Sequence, residues 1–185
     1  MSLKRYVPVL MVLALLIPIS IFANTRISNL SSNSEAVSLK NNSRTGFELS
    51  FNIQKFEISE VNTKAGVFDN IYIPGYGYSG RIGEPKLPAF SKLIAVPVGA
   101  NVNFELITKN QQILSKEESK LANRIIPAQL SVSKSENPEL VPFNLKTSAY
   151  ERNAFSNNDL FKVEEVGYMR GVRVFRFDYE PVQYN

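Results

Sequence analysis

Few side chains in this sequence are placed to do chemistry. Adjacent carboxylates occur at Glu117 and Glu118 and again at Glu164 and Glu165, and the three Asp are scattered at Asp69, Asp159 and Asp178. A carboxylate pair splits a glycosidic bond only when both groups face each other across a cleft. Neighbours on a strand point to opposite faces, so Glu164 and Glu165 do not converge on one bond. Scattered Asp leave no calcium loop visible. Arg170, Arg173 and Arg176 recur at spacing three. On a strand Arg170 and Arg176 share a face and Arg173 opposes them, so the triple reads more readily as a solvated surface than as a patch for a partner. Gly75, Gly77 and Gly80 formally match G-x-G-x-x-G. Pro74 and Pro85 oppose a helix opening there and no βαβ unit follows, so these glycines are read as turn formers.

The absences exclude more than these groups suggest. The 185 residues contain no Cys, no His and no Trp. Without Cys there is no disulfide, no thiolate nucleophile and no thiolate metal ligand. Without His there is no imidazole base near neutral pH. Ser-His-Asp and Cys-His chemistry are both excluded, and no metal or cofactor is expected. Carboxylate-pair chemistry, a Lys-activated nucleophile and a carboxylate-only cation site remain open. The net charge of +4 is spread along the chain without a basic run, which argues against nucleic acid as a partner.

The N-terminus reads as an export signal. Lys4 and Arg5 precede an apolar run from Val7 to Phe22, interrupted by Pro8 and Pro18, and Ala23 offers a small residue before Asn24. This layout predicts a signal peptide over 1–23, cleaved between Ala23 and Asn24. The run is about 16 residues, short of the roughly 20 that span a bilayer. The chain is therefore expected to meet the membrane only in transit and to reach the cell surface or the exterior. Residues 24–45 are rich in Asn and Ser and poor in apolar residues, and are expected to be a flexible leader.

From residue 46 onward the pattern is that of strands. Phe47, Leu49, Phe51 and Ile53 alternate with polar residues, and Phe56 and Ile58 continue one step out of phase, which predicts a bulge or a strand that changes sheets. Ile71, Tyr72 and Ile73 form a short run ended by Pro74 and Gly75. Residues 93–96 suit a buried strand, and 98–101 a hairpin turn leading to alternating Val102, Phe104 and Leu106. Residues 116–123 allow a helical turn or two, and Ile125 and Ile126 another strand. Residues 131–142 read as exposed loop, with Lys134 their only cation. Residues 172–179 form the strongest strand, after a break at Gly171. Seven or eight short strands without a long helix predict an all-β, antiparallel two-sheet β-sandwich over 46–185. Tyr72, Tyr76, Tyr78 and Phe90 frame the turn-rich loop 75–88. They either stack sugars or a partner, or pin that loop to the sandwich.

Several stretches together are similar to one family. Residues 83–88 (GEPKLP), 93–97 (LIAVP), 126–129 (IPAQ), 170–174 (RGVRV) and 181–185 (PVQYN) resemble, in order and spacing, the N-terminal propeptide of gingipain-type cysteine peptidases. The resemblance covers roughly residues 47–185. It implies a β-sandwich prodomain that precedes a caspase-like catalytic domain, keeps it latent and assists its folding until it is cleaved away outside the cell. It also implies a loop that reaches the active-site cleft with a basic residue for the specificity pocket. Matched from Pro127, that position falls on Lys134. A Lys ammonium on a flexible stem enters an acidic pocket as a point charge. The expected partner is a gingipain-like catalytic domain, in cis if the precursor continues and otherwise in trans. The Cys and His of such a domain are absent from this chain, which by itself is not expected to be an enzyme. The alternative is a stand-alone cell-surface binding or adhesion sandwich that uses the aromatic loop 75–88.

Overall fold

A computed structural model describes residues 25–30, 37–43, 45–137, 140–155 and 159–185. The expected signal peptide and its cleavage point at Ala23 and Asn24 lie outside the described residues. Among the described residues, nine strands and two single-turn helices follow in the order β1 (Thr25–Asn29), β2 (Val37–Lys40), β3 (Glu48–Phe51), β4 (Lys55–Thr63), β5 (Gly66–Tyr72), β6 (Gly77–Ser79), β7 (Leu87–Val96), α1 (Lys116–Ser119), α2 (Thr147–Tyr150), β8 (Phe161–Met169) and β9 (Val172–Tyr179). Every strand pairing is antiparallel, so the all-β class holds. Hydrogen bonding divides the strands into three sheets, β1-β4-β5, β2-β3 and β6-β7-β9-β8.

The phase slip after Phe51 marks a change of sheet. β3 pairs with β2, whereas β4, which starts at Lys55, pairs with β1 and β5. Phe56 and Ile58 of β4 and Ile71 of β5 enter one core with Ile73, Tyr76, Leu87 and Ile125, against which Phe90 and Tyr179 of the four-stranded sheet pack. Phe51 closes the core from the small sheet. Its ring lies 4.3 Å from that of Tyr179, 5.3 Å from Phe90 and 5.7 Å from Phe177. These apolar faces, removed from water at about 25 cal/mol per Å², are the main force holding the sheets together.

The β8–β9 hairpin closes through Arg170 and Gly171, with Met169 opposite Val172. Both turn residues have positive φ, 52° and 79°. Two consecutive left-handed residues give the turn whose twist matches the flanking strands, and Gly171 adopts it without a Cβ penalty. Arg170 thus belongs to the turn and shares no strand face with Arg176, contrary to the spacing argument. Arg173 and Arg176 do point to opposite faces, and each is neutralised. Arg173 makes a two-pronged pair with Glu165 at 3.0 and 2.7 Å, and Arg176 bonds Glu164 and Asp178. Glu164 and Glu165 accordingly serve different faces, as strand geometry demands.

Three other expectations are corrected. The flexible leader over 24–45 contains two strands. β1 pairs along its whole length with β4, Thr25 opposite Ser59 through Asn29 opposite Lys55, and β2 pairs with β3. Low apolar content predicted disorder there, but backbone pairing and a buried ion pair anchor β1 instead. The Arg26 guanidinium lies 2.5 Å from Asp69 Oδ1, and the Asp69 side chain is 0% exposed. Second, Val102, Phe104 and Leu106 form no strand; residues 100–115 contain neither helix nor strand. The partner expected of them is taken by β9, which pairs with β7 from Phe90–Tyr179 to Val96–Arg173 and buries Phe175 and Phe177. Third, Ile125 and Ile126 contribute an isolated parallel bridge at Asp69–Ile125 and no regular strand.

Candidate functional site

The loop carrying Lys134 rises from a neck tied together by three distant segments. Residues 82–86 and 126–128 lie alongside each other, and both contain proline. Pro85 and Pro127 face one another, and neither has an N–H to give. Their neighbours supply the bonds: Gly83 N–H donates to the Ala128 carbonyl (2.8 Å), Ala128 N–H to Glu84 (2.8 Å) and Lys86 N–H to Ile126 (2.9 Å). The third segment enters through Lys146, whose N–H donates to the Gly83 carbonyl at 2.9 Å. Gly83 has φ +82°, and a Cβ there would stand 3.1 Å from the Lys146 nitrogen. Only glycine accommodates both the left-handed backbone and the approach of the third segment.

Side chains tighten the neck. Lys146 Nζ donates to Glu84 Oε1 at 2.7 Å, and this bond chiefly holds the Glu84 carboxyl below its ordinary value. Gln129 bonds both backbone groups of Asn144: Nε2 donates to the carbonyl at 2.8 Å and Oε1 accepts from the N–H at 2.9 Å. Behind the neck, Tyr150 of α2 donates its hydroxyl to the Ile125 carbonyl at 2.9 Å, and burial raises its phenol pKa. Phe143 lies 5.5 Å from Phe68 of β5, and Lys64 from the β4–β5 turn donates to the Val141 carbonyl. Asp69 completes the support. Its Oδ2 accepts from the N–H groups of Ala122 and Asn123 at 2.7 and 2.9 Å while Oδ1 meets Arg26, so the chain leading into the neck is tied to β5 and β1 together.

Above the neck the loop is solvent-facing. Residues 131–137 are all exposed, and Leu140 is 81% exposed. A turn at the tip holds Lys134. The Glu136 N–H donates to the Ser133 carbonyl at 3.0 Å, and the hydroxyls of Ser133 and Ser135 share a hydrogen bond of 2.9 Å. The result is a primary ammonium presented on a short turn above a fixed base. Such a group can recognise a carboxylate pocket. Among the described residues no cluster of three or more His, Cys, Asp or Glu could hold a metal ion, and no helix is long and apolar enough to cross a membrane.

The other sequence-singled residues go elsewhere. Tyr76 is 8% exposed, with its ring 5.7 Å from Phe90 and 6.4 Å from Tyr179. Tyr78 accepts a bond from Asn70 and carries Lys86 4.3 Å above its ring. Tyr76 thus pins the loop 75–88 to the core, whereas Tyr72 and Tyr78 stay exposed, Tyr78 with Lys86 over one face. Sequence reasoning did not single out Gln129, Asn144 or Lys146 for a role. The signals available were Gly83 two residues before Pro85 and the Gln that follows Pro127 by two, neither of which names a partner.

Comparison with known proteins gives a consistent result. The Propeptide_C25 family matches residues 24–185. Lys-gingipain of Porphyromonas gingivalis is 36% identical over 176 residues, 95% of this chain, and the chain spans about a tenth (10%) of that relative's length. Gingipain R1 of the same species is 24% identical over 139 residues, 75% of the chain. A solved chain concerned with the zymogenic latency of gingipain K from Porphyromonas gingivalis superposes with a TM-score of 0.80 at 37% identity, covering 87% of this chain and 88% of that one. A complex of Porphyromonas gingivalis RgpB pro- and mature domains gives 0.64 at 20% identity, covering 83% and 76%, a likeness of fold. With a family match over residues 24–185 and 36% identity to Lys-gingipain over 95% of its length, this chain belongs to the Propeptide_C25 family, the prodomains of gingipain precursors.

Proposed function

We propose that this chain is the exported propeptide of a gingipain-like cysteine endopeptidase, that it keeps the zymogen latent and assists its folding, and that Lys134 fills the specificity pocket. The observation that carries the reading is the exposed Lys134 ammonium on a loop whose neck is fixed by Gln129, Asn144, Gly83 and Lys146. A fixed loop loses little conformational freedom on docking, which favours tight binding. Lys suits a deep acidic pocket as a compact charge on a four-carbon stem. The 36% identity to a relative named Lys-gingipain supports a pocket that takes Lys. The family match beginning at residue 24 supports release of the signal peptide between Ala23 and Asn24, and hence action at the cell surface or outside.

The partner is the catalytic domain of such a peptidase, in cis when both lie on one precursor and otherwise in trans. The test adds the purified chain to a Lys-specific gingipain-type peptidase and follows hydrolysis of a small peptide substrate. Inhibition at micromolar or lower concentration is expected, weakened by Lys134→Ala. Unchanged hydrolysis sinks the inhibitory role, and a Lys134→Ala variant as potent as the parent sinks the pocket assignment. Folding assistance is checked separately, by the yield of active catalytic domain refolded with and without the chain.

A further inference from the structure

An inhibitor that offers a peptidase its preferred residue must also avoid being cut. The peptide bond following Lys134 joins it to Ser135, and this bond is the central peptide of the turn that runs from Ser133 to Glu136. Three contacts hold it there: the Glu136 N–H on the Ser133 carbonyl at 3.0 Å, the Ser133 and Ser135 hydroxyls on one another at 2.9 Å, and the Ser135 N–H on the Ser133 hydroxyl at 3.5 Å. A peptide bond in the middle of a β-turn has its flanking residues folded back on each other. Hydrolysis needs the opposite arrangement. The chain on both sides must lie extended in the cleft so that the nucleophile meets the carbonyl carbon and the carbonyl oxygen meets its hydrogen-bond donors.

We propose that the Ser133–Ser135 hydroxyl pair holds Lys134 in a turn that lets its side chain enter the pocket while keeping the Lys134–Ser135 bond out of reach of cleavage. The inference rests on the reading of Lys134 as the pocket residue, and it assigns Ser133 and Ser135 as positioning residues. Opening the turn converts the loop into a substrate. The peptidase thiolate then adds to the Lys134 carbonyl carbon, the Ser135 nitrogen leaves with a proton as an amine, and water releases Lys134 as a carboxylate. Both hydroxyls face solvent on an exposed loop, so removing them leaves the core and the neck bonds of Gln129 and Asn144 intact.

The experiment incubates the parent chain, the double variant Ser133→Ala/Ser135→Ala and the hydroxyl-retaining variant Ser133→Thr/Ser135→Thr with a Lys-specific gingipain-type peptidase. Residual peptidase activity and intact mass are followed together. The parent is expected to inhibit and stay whole. The Ala variant is expected to inhibit at first and then be cut after Lys134 about tenfold faster, with inhibition fading as the cut product accumulates. The Thr variant is expected to behave as the parent, a rescue that a purely structural role for the two positions does not predict. A parent that inhibits beside an Ala variant cut no faster overturns this inference alone. A parent that fails to inhibit overturns it together with the proposed function.

Discussion

Gln129 stands opposite Asn144 as one strand residue stands opposite another, except that the pairing groups on one side belong to a side chain. Its carboxamide donates to the Asn144 carbonyl at 2.8 Å and accepts from the Asn144 N–H at 2.9 Å, closing the loop that carries Lys134. The two bonds contribute about 0.5–1.5 kcal/mol each where they are partly solvated. Gln129→Ala is therefore expected to lower stability by roughly 1–2 kcal/mol. Because it loosens the neck, it is also expected to weaken inhibition about tenfold, as pre-organisation is lost. Gln129→Glu keeps the acceptor but sets a carboxylate oxygen against the Asn144 carbonyl, and should cost at least as much as the Ala variant. Inhibition constants measured beside urea unfolding curves separate the two effects.

A second prediction concerns Gly83. Gly83→Ala forces a side chain into a left-handed backbone with its Cβ 3.1 Å from the Lys146 nitrogen. The expected cost is about 1–3 kcal/mol, with loss of the Gly83–Lys146 backbone bond. Gly46→Ala, where nothing lies within 4 Å of the added carbon, is the matched control and should shift stability by no more than about 0.5 kcal/mol. Equal shifts in the two unfolding midpoints would refute the steric argument.

The buried pair of Arg26 and Asp69 makes β1 part of the folded unit. Arg26→Met strands a carboxylate that is 0% exposed and is expected to cost roughly 2–3 kcal/mol, less than a fully buried pair because the Arg26 side chain is 22% exposed. Asp69→Leu should cost more, since it also orphans the Ala122 and Asn123 N–H groups. Thermal unfolding of the two variants decides the order.

The pH dependence follows from which groups are present. With no His, no side chain of ordinary pKa titrates near neutrality, and stability should be flat from about pH 5.5 to 8. On the acid side the Glu84 carboxyl is held below its ordinary value of 4.5, first by the Lys146 hydrogen bond. That contribution is present above 4.5 and is lost as pH falls through the folded value. On the alkaline side burial raises the phenols of Tyr76, Tyr150 and Tyr179 above 10.0. Their contribution is complete below 10 and is lost as pH rises toward the folded values. Melting temperatures across pH 3–11 should show a plateau with two falling limbs, and Glu84→Gln should flatten part of the acid limb alone.

Local pattern carried much of the fold. Alternation in residues 47–51 and 172–179 marked β3 and β9, and the slip before Phe56 marked the change of sheet. Alternation failed at Val102, Phe104 and Leu106, because a strand exists only where an edge is free to pair, and β7 was already paired with β9. Composition failed at β1 for the converse reason. A polar segment gained its place from backbone pairing and from the Arg26–Asp69 contact, which lies 43 residues away in sequence.

The absence of a thiolate–imidazole pair is a property of the sequence by itself. No fold can build a thiolate–imidazole pair from a chain with no Cys and no His, so that conclusion is independent of structure. The exposure of Lys134 between prolines was likewise legible, because polar residues without a period bury nothing. Only the tertiary structure decided how Lys134 is held. The neck joins residues 83, 129, 144 and 146, and the tip folds through Ser133 and Ser135. Those partners are matched by geometry across the fold, and side-chain periodicity records which face a residue occupies, not which distant residue it meets there.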